Sequence, residues 1–202
     1  MKNDSTYHHG NLKDSLIETA LIMVKKNGIK SLTLRDLTKE VGASRSAIYR
    51  HFESKDTLIK AVIKAAFEKL DNSISVDIAE SDDEINSFRK IGINYIKFAI
   101  DNPNIYRMMF GHEVGIQREE SCDIENEEEA IGFHKLIALV QKAQDNGLFK
   151  EDNAILQATI IWSMMHGLSN LLIDGHVIIK DNLDDLFDLS LSTIINGMKK
   201  TN

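Results

Sequence analysis

Apolar residues recur at helical spacing along most of the chain, and this pattern predicts an all-α protein. The first predicted helix starts after Asn11 and ends at Asn27-Gly28, a pair that favours a helix C-terminus. Its apolar face comprises Leu12, Leu16, Ile17, Ala20, Leu21 and Val24. The single proline and the lack of alternating β-branched runs argue against strands.

Two short helices and a tight turn are predicted next, between residues 33 and 52. The hydroxyl of Thr33 stands where it can cap the first helix, with Asp36 three residues further on. The apolar stripe of this helix is Leu34, Leu37 and Val41. Gly42 follows and tolerates the positive φ that a tight turn requires. Two helices joined in this way form a helix-turn-helix.

The second of these helices has one apolar and one polar face. Ser44 is its expected cap, and its inward residues are Ala47, Ile48 and Phe52. The opposite face carries Arg45, Ser46, Tyr49 and Arg50. This outer face therefore holds guanidinium groups, a hydroxyl and a phenol, and no acid.

This stretch resembles the DNA-binding signature of the TetR (tetracycline-repressor-like) family of bacterial transcription regulators. The residues that carry the resemblance are Thr33, Leu34, Arg35, Leu37, Val41, Gly42, Ala43, Ser44, Ala47, Ile48, Tyr49, Arg50, His51, Phe52, Ser54, Lys55 and Leu58. The resemblance implies a three-helix DNA-binding domain over residues 1–55 and a helical effector-binding and dimerisation domain over residues 56–202. Trp162, His166 and Gly167 are similar to a tryptophan-histidine-glycine motif in one branch of the family.

The resemblance also implies contacts with DNA. Phosphate contacts are implied for Thr33, Ser44, Tyr49, His51 and Lys55. Arg45 and Ser46 are best placed to reach base edges, and Arg35 and Arg50 complete the predicted DNA-binding set. In a dimer the two recognition helices would enter successive major grooves, with half-sites about 34–36 Å apart.

Charge is unevenly distributed along the chain. The total formal charge is −7, which taken alone argues against a nucleic-acid binder. Residues 1–60 hold eight Lys and three Arg against seven Asp or Glu, a net charge of +4, so the remainder carries −11. A basic N-terminal module on an acidic body keeps the phosphate-facing end positive.

The body begins with two long predicted helices. A pattern from Leu58 to Leu70 predicts a helix to about Asn72, capped by Ser54, which connects the DNA-binding module to the body. Residues 81–84, starting at Ser81, form an expected capping box for the next helix. That helix extends to Asn102 and is apolar nearly all round, with Ile93, Ile96 and Ile100 on its second side, so a central place in a bundle is expected.

Four more helices complete the prediction, and the one over residues 154–173 is considered separately below. Asn102-Pro103 starts a short one that extends through Met109. The acidic run 125–129 opens the next helix, where carboxylates favour the positive end of the helix dipole. The last is expected to be capped near Asp181.

Residues 154–173 contain no Asp, Glu, Lys or Arg over a length that would span a membrane. Their polar residues argue against a span and for a buried helix: Gln157, Thr159, Ser163, His166, Gly167, Ser169 and Asn170. By resemblance, this helix and the last one pair with their copies in a homodimer. The apolar surplus assigned to that interface is Trp162, Leu168, Leu172, Leu191 and Ile194.

Other chemistry has little support. Phosphate loops, zinc-protease motifs and nucleophile elbows are missing from the sequence, so neither an enzyme nor a cofactor is predicted. His112, Glu113, Cys122 and His134 fit no metal-ligand spacing. The single cysteine and a polar N-terminus favour a reducing cytoplasm.

Met and aromatic residues of the body are candidates for an effector pocket, because such clusters form adaptable apolar sites. The predicted set is Tyr95, Phe98, Met108, Met109, Phe133, Trp162, Met165 and His166. Since the body lacks a basic cluster, a small, mainly apolar, neutral or cationic effector is expected, with His166 or Tyr95 as polar anchor. The predicted function is a ligand-responsive dimeric regulator, with repression as the preferred direction. The alternative is an activating or architectural DNA-binding protein without a ligand.

Overall fold

The computed structural model describes residues 12–78, 83–111, 131–177 and 182–200, and these residues form nine α-helices without a strand. Helices α1 to α9 are Leu12–Asn27, Leu34–Val41, Arg45–Ile48, Lys55–Ile74, Glu84–Asp101, Pro103–Phe110, Ile131–Asp145, Ala154–Ile173 and Leu183–Met198. A 3-10 turn, Ile29–Ser31, separates α1 from α2. The all-α prediction is therefore confirmed.

Two compact units make up the chain. The first contains Met1–Ala66 and Asn104–Ile116, and the second contains Phe67–Pro103 and Gln117–Asn202. Helix α4 contributes its first part to one unit and its last two turns to the other. The domain division between residues 55 and 56 stays a prediction.

In the first unit, α2 packs against both α1 and α3. The core of these helices and the start of α4 is formed by Leu16, Ala20, Leu21, Val24, Leu37, Val41, Ile48, Phe52, Leu58 and Val62. Helix α1 ends as predicted, because Gly28 has a φ of 77° and its N–H donates to Val24 at 2.8 Å. The Lys13 ammonium lies 5.9 Å from the centre of the Phe52 ring.

Helix α6 also belongs to the first unit, apart from Pro103. It begins at the predicted proline, and the Asn104 side chain donates to the Lys25 carbonyl oxygen at 3.1 Å, which holds α6 against the end of α1. Its residues Ile105, Tyr106, Met108 and Met109 are buried.

In the second unit, α5 is the central helix and packs against α7, α8 and α9. The ring of Phe187 in α9 lies where a β-carbon on Gly92 would overlap it, so glycine permits this close approach. The Arg89 guanidinium donates two hydrogen bonds to the Asp188 carboxylate, from Nε at 2.6 Å and from Nη2 at 3.0 Å. The predicted central place is confirmed, although Ile100 is 40% exposed and the helix is not buried on every side.

Several predicted helix starts need correction or lie outside the described residues. The N-cap of α5 is Asp83, which accepts from the Asn86 N–H at 2.7 Å; Ser81 is not described. Helix α9 has Asn182 as its N-cap, without a side-chain hydrogen bond, and Asp181 is not described. Residues 125–129 also lie outside the described ranges. Helix α4 ends at Ile74, two residues later than predicted.

Candidate nucleic-acid interface and aromatic cluster

The turn between α2 and α3 is built by local hydrogen bonds. Thr33 caps α2, since its hydroxyl oxygen accepts from the Asp36 N–H at 3.1 Å. Gly42 adopts the left-handed conformation, with a φ of 71°, and its N–H donates to the Thr38 carbonyl oxygen. Both features agree with the sequence prediction, and together they fix where α3 starts.

Ser44 caps α3 by accepting from the Ala47 N–H at 3.2 Å, and its oxygen lies 2.9 Å from that of Ser46. The helix is shorter than predicted, since Arg45–Ile48 is a single turn. The helix ends in turns that span three residues: the His51 N–H donates to the Ile48 carbonyl oxygen at 2.9 Å, and the Arg50 N–H donates to the Ala47 carbonyl oxygen at 3.3 Å. Phe52 therefore reaches the core from beyond the helix rather than from within it, with 2% of its surface exposed.

All nine residues of the predicted DNA-binding set are exposed. They are Thr33, Arg35, Ser44, Arg45, Ser46, Tyr49, Arg50, His51 and Lys55. Ile48, on the inner side of α3, is 1% exposed and anchors the helix, so Arg45 and Arg50 are presented on a fixed support. We call the exposed side chains from Ser44 to His51 the α3 face. Because there is no acid between residues 41 and 52, the α3 face is suited to phosphate and base-edge contacts.

The start of α4 extends the same chemistry. Ser54 caps this helix, as predicted, by accepting from the Thr57 N–H at 3.1 Å. The N-terminus of a 20-residue helix carries a partial positive charge, and Lys55 stands beside it. An anion is therefore favoured at this end of α4.

Four of the predicted pocket residues meet in the second unit. The Trp162 N–H donates to the Tyr95 hydroxyl oxygen at 3.2 Å, and that oxygen lies 3.3 Å from His166 Nδ1. The Phe133 and Trp162 ring centres are 5.4 Å apart, and those of Trp162 and His166 are 5.8 Å apart. We call Tyr95, Phe133, Trp162 and His166 the aromatic cluster.

Hydrogen bonding within the aromatic cluster has a direction. An indole N–H can only donate, so the Tyr95 oxygen accepts from Trp162, whereas the direction of the bond between Tyr95 and His166 Nδ1 depends on the histidine tautomer. Burial lowers the pKa of His166 from its usual 6.5, which favours the neutral imidazole.

The other predicted pocket residues have different surroundings. Phe98 and Met165 are buried in the same unit as the aromatic cluster, with 9% and 2% of their surface exposed. Met108 and Met109 are buried in the first unit. The pocket itself stays a prediction.

The metal hypothesis involves mainly residues that are not described. His112, Glu113 and Cys122 lie between residues 112 and 130, and the described ranges contain no cluster of metal-ligating side chains. His134 lines a surface groove on α7 with Ile131, Lys135 and Ala138, and its Nε2 has no hydrogen-bond partner among the described residues.

Helix α8 has the predicted bounds but is buried on one side only. Ile161, Met165 and Ser169 face the core. A second line at helical spacing is exposed: Leu156, Ile160, Ser163, Gly167 and Leu171. On α9, Leu189 is 65% exposed. We call the exposed line of α8 together with the exposed side of α9 that carries Leu189 the α8–α9 face.

This placement corrects the set of interface residues chosen from sequence. Leu191 is 3% exposed and belongs to the core of its own chain, while Trp162, Leu168, Leu172 and Ile194 are half-buried. In the sequence, the exposed line has the helical spacing 4-3-4-4 from Leu156 to Leu171. Because the helix is apolar on nearly every side, this spacing does not distinguish the exposed side from the buried one. Within the described ranges, no helix has the length and apolar character of a membrane span.

Two family models match the chain. Residues 16–62 match the model for bacterial regulatory proteins of the tetR family, and residues 88–194 match the tetracyclin repressor-like C-terminal domain. The chain belongs to the TetR family. It is accordingly a transcription regulator with a DNA-binding helix-turn-helix, and homodimers and repression are typical of this family.

Two similar proteins match the chain over most of their length. The nucleoid occlusion factor SlmA of Vibrio cholerae serotype O1 is 27% identical over 165 residues, which are 80% of this chain and 84% of SlmA. A Rhodococcus sp. RHA1 protein of unknown function has a TM-score of 0.82 at 24% identity, covering 98% of this chain and all of that one.

One similar solved structure is a complex with a small molecule. A TetR variant from Acinetobacter baumannii AYE, in complex with minocycline, has a TM-score of 0.65 at 18% identity, covering 92% of this chain and 94% of that one. At this identity the likeness shows the fold alone. The assignment of Trp162, His166 and Gly167 to one branch of the TetR family stays a prediction.

Proposed function

We propose that this TetR-family chain is a ligand-responsive repressor that binds a palindromic operator as a homodimer and is released by a small molecule, without catalysing a reaction. DNA binding is supported by the α3 face, where the guanidinium groups of Arg45 and Arg50 are exposed, the helix is held by the buried Ile48, and no acid lies between residues 41 and 52. Arg45 and Ser46 read base edges, and the phosphates are held by Thr33, Ser44, Tyr49, His51 and Lys55.

The homodimer is proposed to form through the α8–α9 face. Leu156 and Ile160 are 60% and 53% exposed in the single chain, which is unusual for residues of a long apolar helix. A β-carbon added at Gly167 or Gly197 would meet no atom of the described part of the chain, so another helix can approach closely there. Pairing with a second copy covers this surface.

The effector is proposed to bind beside the aromatic cluster. Its rings offer apolar contact, and Tyr95 and His166 supply hydroxyl and imidazole groups as polar anchors. The neutral state of His166 and the acidic body disfavour a multiply anionic ligand. A neutral or cationic, mainly apolar molecule fits this site best. Tight binding of a polyphosphate to the full chain would contradict this proposal.

One experiment tests the DNA part directly. Duplexes are selected from a random pool with the full chain, and the enriched sequence should be palindromic with half-sites about 34–36 Å apart or slightly more. Arg45→Ala should relax the enrichment at one base pair of each half-site. Selection without any consensus would contradict an operator-binding function.

A second candidate is a DNA-binding protein without a small ligand, acting as an activator or an architectural factor. It is favoured by the relatives whose names describe nucleoid occlusion factors. Titration of a panel of neutral and cationic apolar compounds against the operator-bound dimer separates the two. Release by a member of the panel supports the repressor, and a complex that resists every compound supports the alternative.

A further inference from the structure

Two serine hydroxyls lie side by side on the α3 face. The Ser44 and Ser46 oxygens are 2.9 Å apart, which is a hydrogen-bond distance, and both residues are exposed. A hydrogen bond between two hydroxyls uses one proton, and in the free chain either oxygen can supply it. The donor of this proton determines whether Ser46 can still donate a hydrogen bond to DNA.

The Ser44 oxygen already has one partner. As the cap of α3, it accepts from the Ala47 N–H at 3.2 Å. A serine hydroxyl has one proton to donate and two lone pairs that accept. With the cap bond in place, Ser44 can therefore accept one more hydrogen bond and donate one.

DNA binding would fix the direction of the bond between the two serines. Ser44 is one of the proposed phosphate contacts, and a phosphate oxygen accepts, so this contact uses the single proton of Ser44. A hydrogen bond to an ionised acceptor is roughly twice as strong as one between neutral groups, so this proton goes to phosphate in preference to Ser46. The proton between the two serine oxygens then comes from Ser46 and fills the second lone pair of Ser44.

This arrangement leaves Ser46 with lone pairs only. The hydrogen-bond donors of the major groove are the adenine N6 and cytosine N4 amino groups, whereas purine N7, guanine O6 and thymine O4 accept. A serine can in general pair with either kind of group. A serine whose proton is already used can accept only, so its partner on DNA must be an amino group.

We infer that Ser44 is a positioning residue that restricts Ser46 to reading an exocyclic amino group, adenine N6 or cytosine N4, in the operator. This inference rests on the proposed function, since it requires that Ser44 holds a phosphate and that Ser46 reaches a base edge. It adds the chemical class of the group that Ser46 recognises.

Base analogues in the operator test this inference. Duplexes are selected with the full-length wild type and with Ser46→Ala, and the base pair whose enrichment is lost in Ser46→Ala is the one that Ser46 reads. At that pair the amino group is replaced by hydrogen, with purine for adenine or pyrimidinone for cytosine. Wild type should bind this amino-deleted duplex roughly 3- to 10-fold more weakly per half-site, the effect of one hydrogen bond, whereas Ser46→Ala should not discriminate. Replacing purine N7 by C–H at the same pair should leave wild-type binding unchanged.

Variants at position 44 test the role of Ser44. Ser44→Ala frees the Ser46 proton for a neighbouring acceptor, so most of the sensitivity to amino deletion should be lost. The carboxylate in Ser44→Asp can accept from Ser46, so the sensitivity should remain although both duplexes bind more weakly. Thr57→Ala is the matched control, because the Thr57 oxygen lies 3.0 Å from that of Ser54, the capping serine of α4. It removes the same kind of hydroxyl pair outside α3 and should respond as wild type does.

Each outcome has a distinct meaning. A wild type that selects no consensus overturns the proposed function, and this inference with it. A consensus that Ser46→Ala leaves unchanged, or equal wild-type affinity for intact and amino-deleted duplexes, overturns the inference alone. The same loss in wild type and Ser44→Ala also overturns it, because Ser46 would then accept without Ser44. If Ser44→Ala loses its helical circular dichroism, Ser44→Gly replaces it, since glycine is a favoured cap that also lacks the hydroxyl.

Discussion

Helices α3 and α8 each present a face that the folding of one chain does not use, and the two faces have opposite chemistry. The α3 face holds Arg45 and Arg50 above a buried Ile48. The exposed line of α8 holds Leu156 and Ile160 beside a buried Ile161. In both helices one side belongs to the core, so the other side is free to meet a partner.

The difference indicates which partner each face meets. Exposed guanidinium groups are well hydrated, and without nearby acids they attract an anionic polymer. Exposed leucine and isoleucine gain roughly 25 cal/mol for each Å² of apolar surface that a second copy covers. On our proposal, the α3 face provides specificity for DNA, and the α8–α9 face provides the dimer that sets the spacing of two such faces.

The largest effect is expected where a charge enters the core of one chain. Leu191→Asp should destabilise the fold by more than about 3 kcal/mol, because it removes a buried side chain and adds an unpaired carboxylate. Leu191 is 3% exposed, so this variant tests the core and not the dimer. Ile22→Asp, at a position 66% exposed, is the control and should have little effect. The measurement is urea unfolding followed by circular dichroism at fixed protein concentration.

Ile160→Asp tests the α8–α9 face. It should leave the helical content intact and weaken dimerisation by at least about 2 kcal/mol, as loss of a central apolar contact does. Sedimentation equilibrium measures the dimer, again with Ile22→Asp as control. A dimer of unchanged mass and affinity with Asp at position 160 would remove α8 from the interface.

Ser44 separates capping from DNA contact on the α3 face. Ser44→Ala should cost about 1 kcal/mol of stability, because the Ala47 N–H loses its acceptor. Ser44→Asp should recover that stability, since carboxylates cap well, but should bind operator DNA more weakly because it repels phosphate. Thermal unfolding and anisotropy on the same two variants check this. Equal operator binding by the serine and aspartate forms would mean that residue 44 acts only as a cap.

Local signals allowed the DNA-binding module to be predicted in detail. Thr33, Gly42 and Ser44 each act within four residues, so the sequence around them determines the caps and the turn. The predicted end of α3 lies beyond the observed one because Phe52 has the spacing of an inward-facing helical residue. In the structure Phe52 follows the helix, and the hydrogen-bonded turn after Ile48 places its side chain in the core.

The body was less predictable, because its decisive contacts join distant residues. Ser81 and Asp83 are both competent caps, and only the folded chain shows that Asp83 is used. A helix that is apolar on most sides, such as α8, does not reveal which side is covered. The bond between Arg89 and Asp188 joins positions 99 residues apart, and neither residue has a local sequence signal that names its partner.

The smallest predicted effect is on pH dependence. The pKa of His166 is lowered by burial, so the folded chain binds this proton less readily than the unfolded chain does. The stabilising contribution of the neutral imidazole is fully present above the usual pKa of 6.5 and is lost as the pH falls from there towards the lowered value. His166→Gln should show a smaller loss of unfolding free energy than wild type between pH 7.5 and 5.5, with urea unfolding as the measurement. An identical loss in both proteins would show that other groups control stability in this range.

The central claim is that the α3 face reads DNA, and operator binding by Arg45→Ala and Lys55→Ala across a salt series tests it most directly. Arg45→Ala should lose about 1–3 kcal/mol per half-site and relax the preference at one base pair, because a guanidinium can pair with a guanine edge. Lys55→Ala should weaken operator and random DNA equally and lower the salt slope by roughly one counterion per contact. If neither substitution changes operator affinity beyond experimental error, the α3 face does not read DNA.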